Sequence, residues 1–124
     1  MKLVGTASIV ALLLASYGTA SAIALATPLV STTAPHIPEC VVTNTSPSPV
    51  TLDVVVRDYY GVLVIPTFDD CAPDLAPQAS CSVTGPAGTD MSCSITASSS
   101  RIRALIGVYD SSGTLIAAVP ATRK

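Results

Sequence analysis

The sequence has no tryptophan, one histidine and one phenylalanine, and only 11% of its 124 residues are charged. Each shortage argues against a class of chemistry. A single imidazole, His36, sits between Pro35 and Pro38 and has no second histidine with which to share a zinc ion. Nucleophilic hydrolysis needs a base held against a serine or cysteine, and no G-x-S-x-G elbow is present either. Six basic residues against eight acidic ones give a net charge of −2. That leaves no basic patch to release counterions from phosphates, so nucleic acid is not an expected partner. Without tryptophan, the buried indole that packs antibody domains is missing. From Glu39 onward no stretch holds a helical stripe of apolar residues at i, i+3 and i+4, so amphipathic helices are not expected there. The sequence also calls for no cofactor.

What is present begins with Met1-Lys2, followed by the uncharged run Leu3 to Ala15 and the small-residue segment Ala20-Ser21-Ala22. A basic start, an apolar core and an A-x-A site in that order form a secretory signal peptide. The apolar core is about 13 residues, short of the roughly 20 that a membrane span needs. The expectation is cleavage after residue 22 and a soluble secreted or periplasmic product, with no membrane contact after cleavage. Losing Lys2 takes the net charge to about −3.

Four cysteines, Cys40, Cys71, Cys81 and Cys93, come after the leader. An even count in a small exported chain reads as two disulfides. Three pairings are possible. We favour Cys71–Cys81 around a local loop and Cys40–Cys93 between distant strands. In the chain-entropy model these contribute about 3 and about 4 kcal/mol. No two cysteines have the C-x₂₋₄-C spacing of a zinc site, and no metal is expected.

Residues 23–38 contain three prolines and no period, and they read as a linker. Beyond them, β-rich runs alternate with turn signals. Strands are expected at 39–45, 50–58, 62–67, 80–85, 91–97, 101–109 and 114–120. Alternation places Leu52, Val54 and Val56 on one face, and Ile102, Ala104, Ile106 and Val108 on another. Cys40 with Val42, Cys81 with Val83, and Cys93 with Ile95 and Ala97 also point inward. Asp58-Tyr59-Tyr60-Gly61 and Asp110-Ser111-Ser112-Gly113 are two hairpin signals of the same kind. The Asp carboxylate can cap the turn, and Gly can take the left-handed conformation that closes it. The fold expected over residues 39–121 is therefore all-β, a seven-stranded antiparallel sandwich of immunoglobulin or fibronectin III type with a short tail at 122–124. An open barrel is the alternative.

Four signals occur in order: Cys40-Val41-Val42-Thr43-Asn44; Cys71, then Leu75-Ala76-Pro77 and Cys81; Cys93-Ser94-Ile95-Thr96; and Arg101-Ile102-Arg103-Ala104. In these the chain resembles a group of uncharacterised small secreted bacterial proteins with a C-x-x-x-N start, an LAPG-x-x-C turn and a late V-R-A strand. Gln78 stands where that group has glycine. The resemblance implies export, disulfides and an immunoglobulin-like sandwich, and it implies no activity.

Tyr59 and Tyr60 at a turn tip are candidate partner contacts, because aromatics offer apolar area at low entropy cost. Arg101 and Arg103 could grip a carboxylate or sulfate, or more simply pair with Asp53 or Glu39 and guard a sheet edge. Asp69, Asp70 and Asp74 surround Cys71 without EF-hand spacing and read as a solvated loop. Asn44-Thr45-Ser46 fits the glycosylation sequon. The expected function is that of a non-catalytic exported module that binds an extracellular or envelope protein or a glycan. The alternative is an inhibitor or effector acting through the Cys71–Cys81 loop.

Overall fold

The structure is a computed structural model that describes residues 22–71 and 73–124. The expected leader falls outside them, apart from Ala22. Alternating burial dominates what is seen. The strand Ile37–Asn44 (β2) buries every second residue, as do Ser80–Thr84 (β6) and most of Ser92–Ala97 (β7). One sheet consists of Thr122–Arg123 (β10), Ile23–Ala26 (β1), β7, Val50–Arg57 (β3) and Asp74–Leu75 (β5), in that order. The other consists of Phe68–Asp69 (β4), β6, β2, Ile102–Tyr109 (β8) and Leu115–Pro120 (β9). All pairings are antiparallel. The described residues are all-β, in two sheets of five strands with one core between them.

The inward faces are those the alternation predicts. Cys40, Val42, Val83, Ile102 and Ile106 of one sheet meet Leu25, Leu52, Val56, Cys93 and Ile95 of the other. Cys40 and Cys93 are bonded across the layers, with their Cα atoms 6.4 Å apart. Each sits on a strand paired on both sides, so this bridge joins the sheets at their interior. The second bridge, Cys71–Cys81, lies at the margin, with a Cα separation of 4.9 Å.

The described residues form ten strands rather than the seven expected. Residues 23–38 are not a linker: β1 lies between β7 and β10, and Ile37 and Pro38 begin β2. After β1 the chain stays on the start of β7, with Thr27 N–H donating to Cys93 O and Val30 bridging Met91. The sequence IALA hides its strand because it has no polar residue to set a period, and Pro28 comes soon after. The tail at 122–124 likewise supplies β10. The two-residue strands β4 and β5 fall in a stretch read as loop. Residues 62–67, expected as a strand, form only an isolated bridge from Leu63 to Arg57 before crossing between the sheets.

Candidate interaction surface

Where that crossing segment runs, apolar side chains face outward. Tyr59 is 67% exposed, Tyr60 84% and Ile65 85%, and Val62, Leu63 and Phe68 are each more than half exposed. They lie in a strap from the end of β3 to β4. The strap closes the open side of the sandwich, with half-buried Val64 and Pro66 turned inward. Beneath it runs a groove of about 180 Å³, lined by Val54, Val56, Val64, Pro66 and Val83 among others.

The strap is fastened at both ends. At its start, Asp58 Oδ1 accepts hydrogen bonds from the N–H groups of Tyr60 (2.9 Å) and Val62 (3.0 Å). Gly61 takes φ 77°, its N–H donates to Asp58 O, and Arg57 Nη1 donates to Gly61 O at 3.0 Å. The tyrosine rings lock edge to face with centroids 5.2 Å apart, a stable geometry for aromatic pairs. At its far end, Thr67 N–H donates to Thr84 O, β4 pairs with β6, and the Cys71–Cys81 bridge lies just beyond. A strap held this way loses little conformational entropy when a partner covers it.

The three carboxylates beside Cys71 are each occupied separately. Asp69 Oδ1 accepts from Cys71 N–H (3.0 Å), Asp70 Oδ1 from Ser82 N–H (2.7 Å) and Asp74 Oδ1 from the Thr51 hydroxyl (3.1 Å). Among the described residues no three His, Cys, Asp or Glu side chains converge as metal ligands. The loop closed by the second bridge is also tied down: β5 pairs with β3, and Leu75 is buried.

Asn44 has a role the sequence did not disclose. It is fully buried, and its Nδ2 donates to the carbonyls of Ser48 (2.8 Å), Leu75 (3.0 Å) and Ala76 (3.2 Å). Its Oδ1 accepts from Ser46 N–H at 2.9 Å. The asparagine of the sequon is thus buried, and the amide that would carry a glycan clamps β2 to the loop around β5. The one available signal was its place four residues after Cys40 on an inward-facing alternation. Next to the clamp, Gln78 occupies the left-handed region at φ 61°. Its Nε2 reaches the carbonyls of Thr45 and Ser46 at 3.3 Å.

The arginines do not do what their strand pattern suggests. β8 lies between β2 and β9, so Arg103 guards no edge. It stands opposite Thr43, whereas Asp53 lies in the other sheet opposite Thr96, and Glu39 faces Thr84 and Gly107. Arg101 precedes β8, and its carbonyl accepts from both N–H and Oγ1 of Thr45. Neither arginine lies in or beside the tyrosine strap.

At the other Asp-Gly turn, hydrogen bonds from the Ser112 hydroxyl (2.6 Å) and the Thr114 N–H (2.9 Å) hold the Asp110 carboxyl below the usual carboxylate range. Nearby, burial pushes the Tyr109 phenol above its ordinary value, and the Glu39 charge adds to this.

No protein-family model matches the chain, and no curated protein does either. Among solved structures, the fold is similar to the crystal structure of Thermotoga maritima 1070. The TM-score is 0.58 and the identity 8%, covering 86% of this chain and 97% of that one. Likeness at that identity speaks for the two-layer β architecture alone. The Anabaena sensory rhodopsin transducer gives a TM-score of 0.36 at 14% identity, over 69% of this chain and 93% of that one.

Proposed function

We propose that this chain is an exported, non-catalytic binding module that presents the Tyr59–Phe68 strap to a protein or glycan of the cell envelope or its surroundings. The observation that carries this is the set of six outward apolar side chains on one segment anchored at both ends. Monomeric surfaces rarely gather apolar groups this way unless something covers them. Two disulfides and an expected signal peptide support a life outside the cytoplasm. Among the described residues, no helix is long and apolar enough to cross a membrane.

The immunoglobulin-like label belongs to the same proposal. The β3–β7 pairing and the β8–β9 hairpin agree with it.

The test is co-sedimentation of the purified protein with envelope fractions of its own host, native against Tyr59→Ser/Tyr60→Ser. The native protein should pellet and the double variant stay in solution, while Ser111→Ala/Ser112→Ala at the other turn behaves as native. Equal pelleting of native and double variant, or none by either, would discard the strap as the binding surface.

A further inference from the structure

The strap lies on the β4 side of the molecule, and the opposite edge of that sheet has a different character. Three of the four sheet edges among the described residues, β4, β5 and β10, are two residues long, whereas β9 has six. The ladder shows which of its backbone groups are free. Ala121 N–H donates to Ala104 O, and Thr45 N–H to Arg101 O. Hydrogen-bonding residues alternate along an antiparallel pair. Val119 and Ala117 therefore face β8 as Ala121 does, and the N–H and C=O of Ala118 point away from the sheet. Pro120 has the same parity as Ala118, so its missing N–H falls on the outer side, where an edge tolerates proline.

Apart from the bulge at Ile116, which has no partner between the Val108–Ala117 and Tyr109–Leu115 pairs, nothing blunts this edge before Pro120. From Ser111 to Thr122 there is no ionisable side chain. Leu115 and Ile116 are each about half exposed, and Ala117 and Ala118 are exposed too. Proteins normally protect a free edge with charge, proline or brevity, because its unpaired groups template another strand.

We propose that β9 pairs antiparallel with β9 of a second copy of this chain about a two-fold axis at Ala118, joining one sheet of each copy into a continuous sheet. Three features favour a second copy over a foreign strand. Two-fold pairing about Ala118 sets Ala118 against its own equivalent, 117 against 119 and 116 against 120 of the second copy, and no like charges meet because this segment has none. Identical strands match in length, and the Pro120 of each copy, opposite Ile116 of the other, withholds a donor only at the two ends of the shared ladder. Beside the edge, Leu115 and the Tyr109 ring lie over Gly107, and the Glu39 charge sits one strand further in, on β2, so the residues that would directly flank a pairing strand are apolar. The Ala118 side chain, opposite Gly107 and exposed, faces its own equivalent across the axis.

Sedimentation equilibrium of the oxidised protein tests this. The expected result is a monomer–dimer equilibrium with a dissociation constant on the order of 10–100 μM, as suits a modest interface. Ala118→Lys and Ala118→Asp each place like charges across the axis and should weaken the dimer at least about tenfold. An equimolar mixture of the two should dimerise again, a rescue that a misfolded variant could not show. The proposal is overturned if the native protein is monomeric to about 0.5 mM, if Ala118→Lys dimerises like the native chain, or if the mixture fails to recover. It is also overturned if Tyr59→Ser/Tyr60→Ser is what abolishes the dimer. That variant should dimerise normally, which keeps this test separate from the binding role of the strap.

Discussion

The turns at Asp58–Gly61 and Asp110–Gly113 agree in every shared hydrogen bond to within 0.1 Å, yet the chain leaves them in different ways. Both carboxylates cap two N–H groups, and both glycines sit near φ 80°. After Gly113 the chain folds back on β8 as the six-residue β9, with one bulge between Val108 and Tyr109. After Gly61 it touches β3 through Leu63 and Val64, then departs. Pro66 cannot continue a ladder, and Val64 is drawn toward Gly85 across the gap between the sheets. A four-residue turn thus fixes the reversal of the chain, and the residues beyond the glycine decide between a strand and a strap. The tips differ in the same sense: Ser111-Ser112 are ordinary solvent-facing residues, whereas Tyr59-Tyr60 add a large apolar surface to the strap.

That contrast can be broken in graded steps. Replacing both Cys71 and Cys81 by serine frees the far anchor of the strap alone. Chemical denaturation should show a loss of about 3 kcal/mol, with hydrogen exchange rising across 62–71 and staying unchanged at 110–115. Gly61→Ala and Gly113→Ala meet no atom within 4 Å of the added Cβ. Each should therefore cost only the left-handed backbone penalty, about 1 kcal/mol by thermal unfolding. Unequal losses would show that the two turns are not the same device energetically.

Acid gives a further probe of the Asp110 turn. The folded Asp110 carboxyl lies below its ordinary value, so its contribution is complete above the ordinary carboxylate range and is lost as pH falls through the lowered one. Exchange protection of the Ser112 and Thr114 amides should fall over that interval, and Asp110→Asn should abolish the dependence. The smallest effect belongs to Tyr59→Ser/Tyr60→Ser, which copies one tip onto the other. Stability should move by less than about 0.5 kcal/mol, since both rings are largely exposed.

Much of the sandwich was legible because alternation and inward cysteines repeat a local rule. Six of the seven expected strands, both bridges and both turns follow from it. The elements that escaped are those whose pairing is not encoded locally. β1 and β10 find each other across almost the whole chain, and β4 and β5 are two residues long. The exposed strap escaped for the opposite reason. Val62-Leu63-Val64-Ile65 has the composition of a buried strand, and only the packing of Val64 and Pro66 shows that its other side chains stay in water. The tyrosines were readable from their place at a tip. For the arginines, the strand pattern gave the face of each residue but not that β8 lies between two other strands.

The sheet order β4-β6-β2-β8-β9 puts the tyrosine strap and the unguarded edge on opposite flanks. Two copies joined at the free flank turn their straps away from each other, and such a pair is bivalent. Each strap could then hold its site weakly while the pair holds a surface bearing many such sites with far greater avidity, and dilution below the pairing concentration would release it.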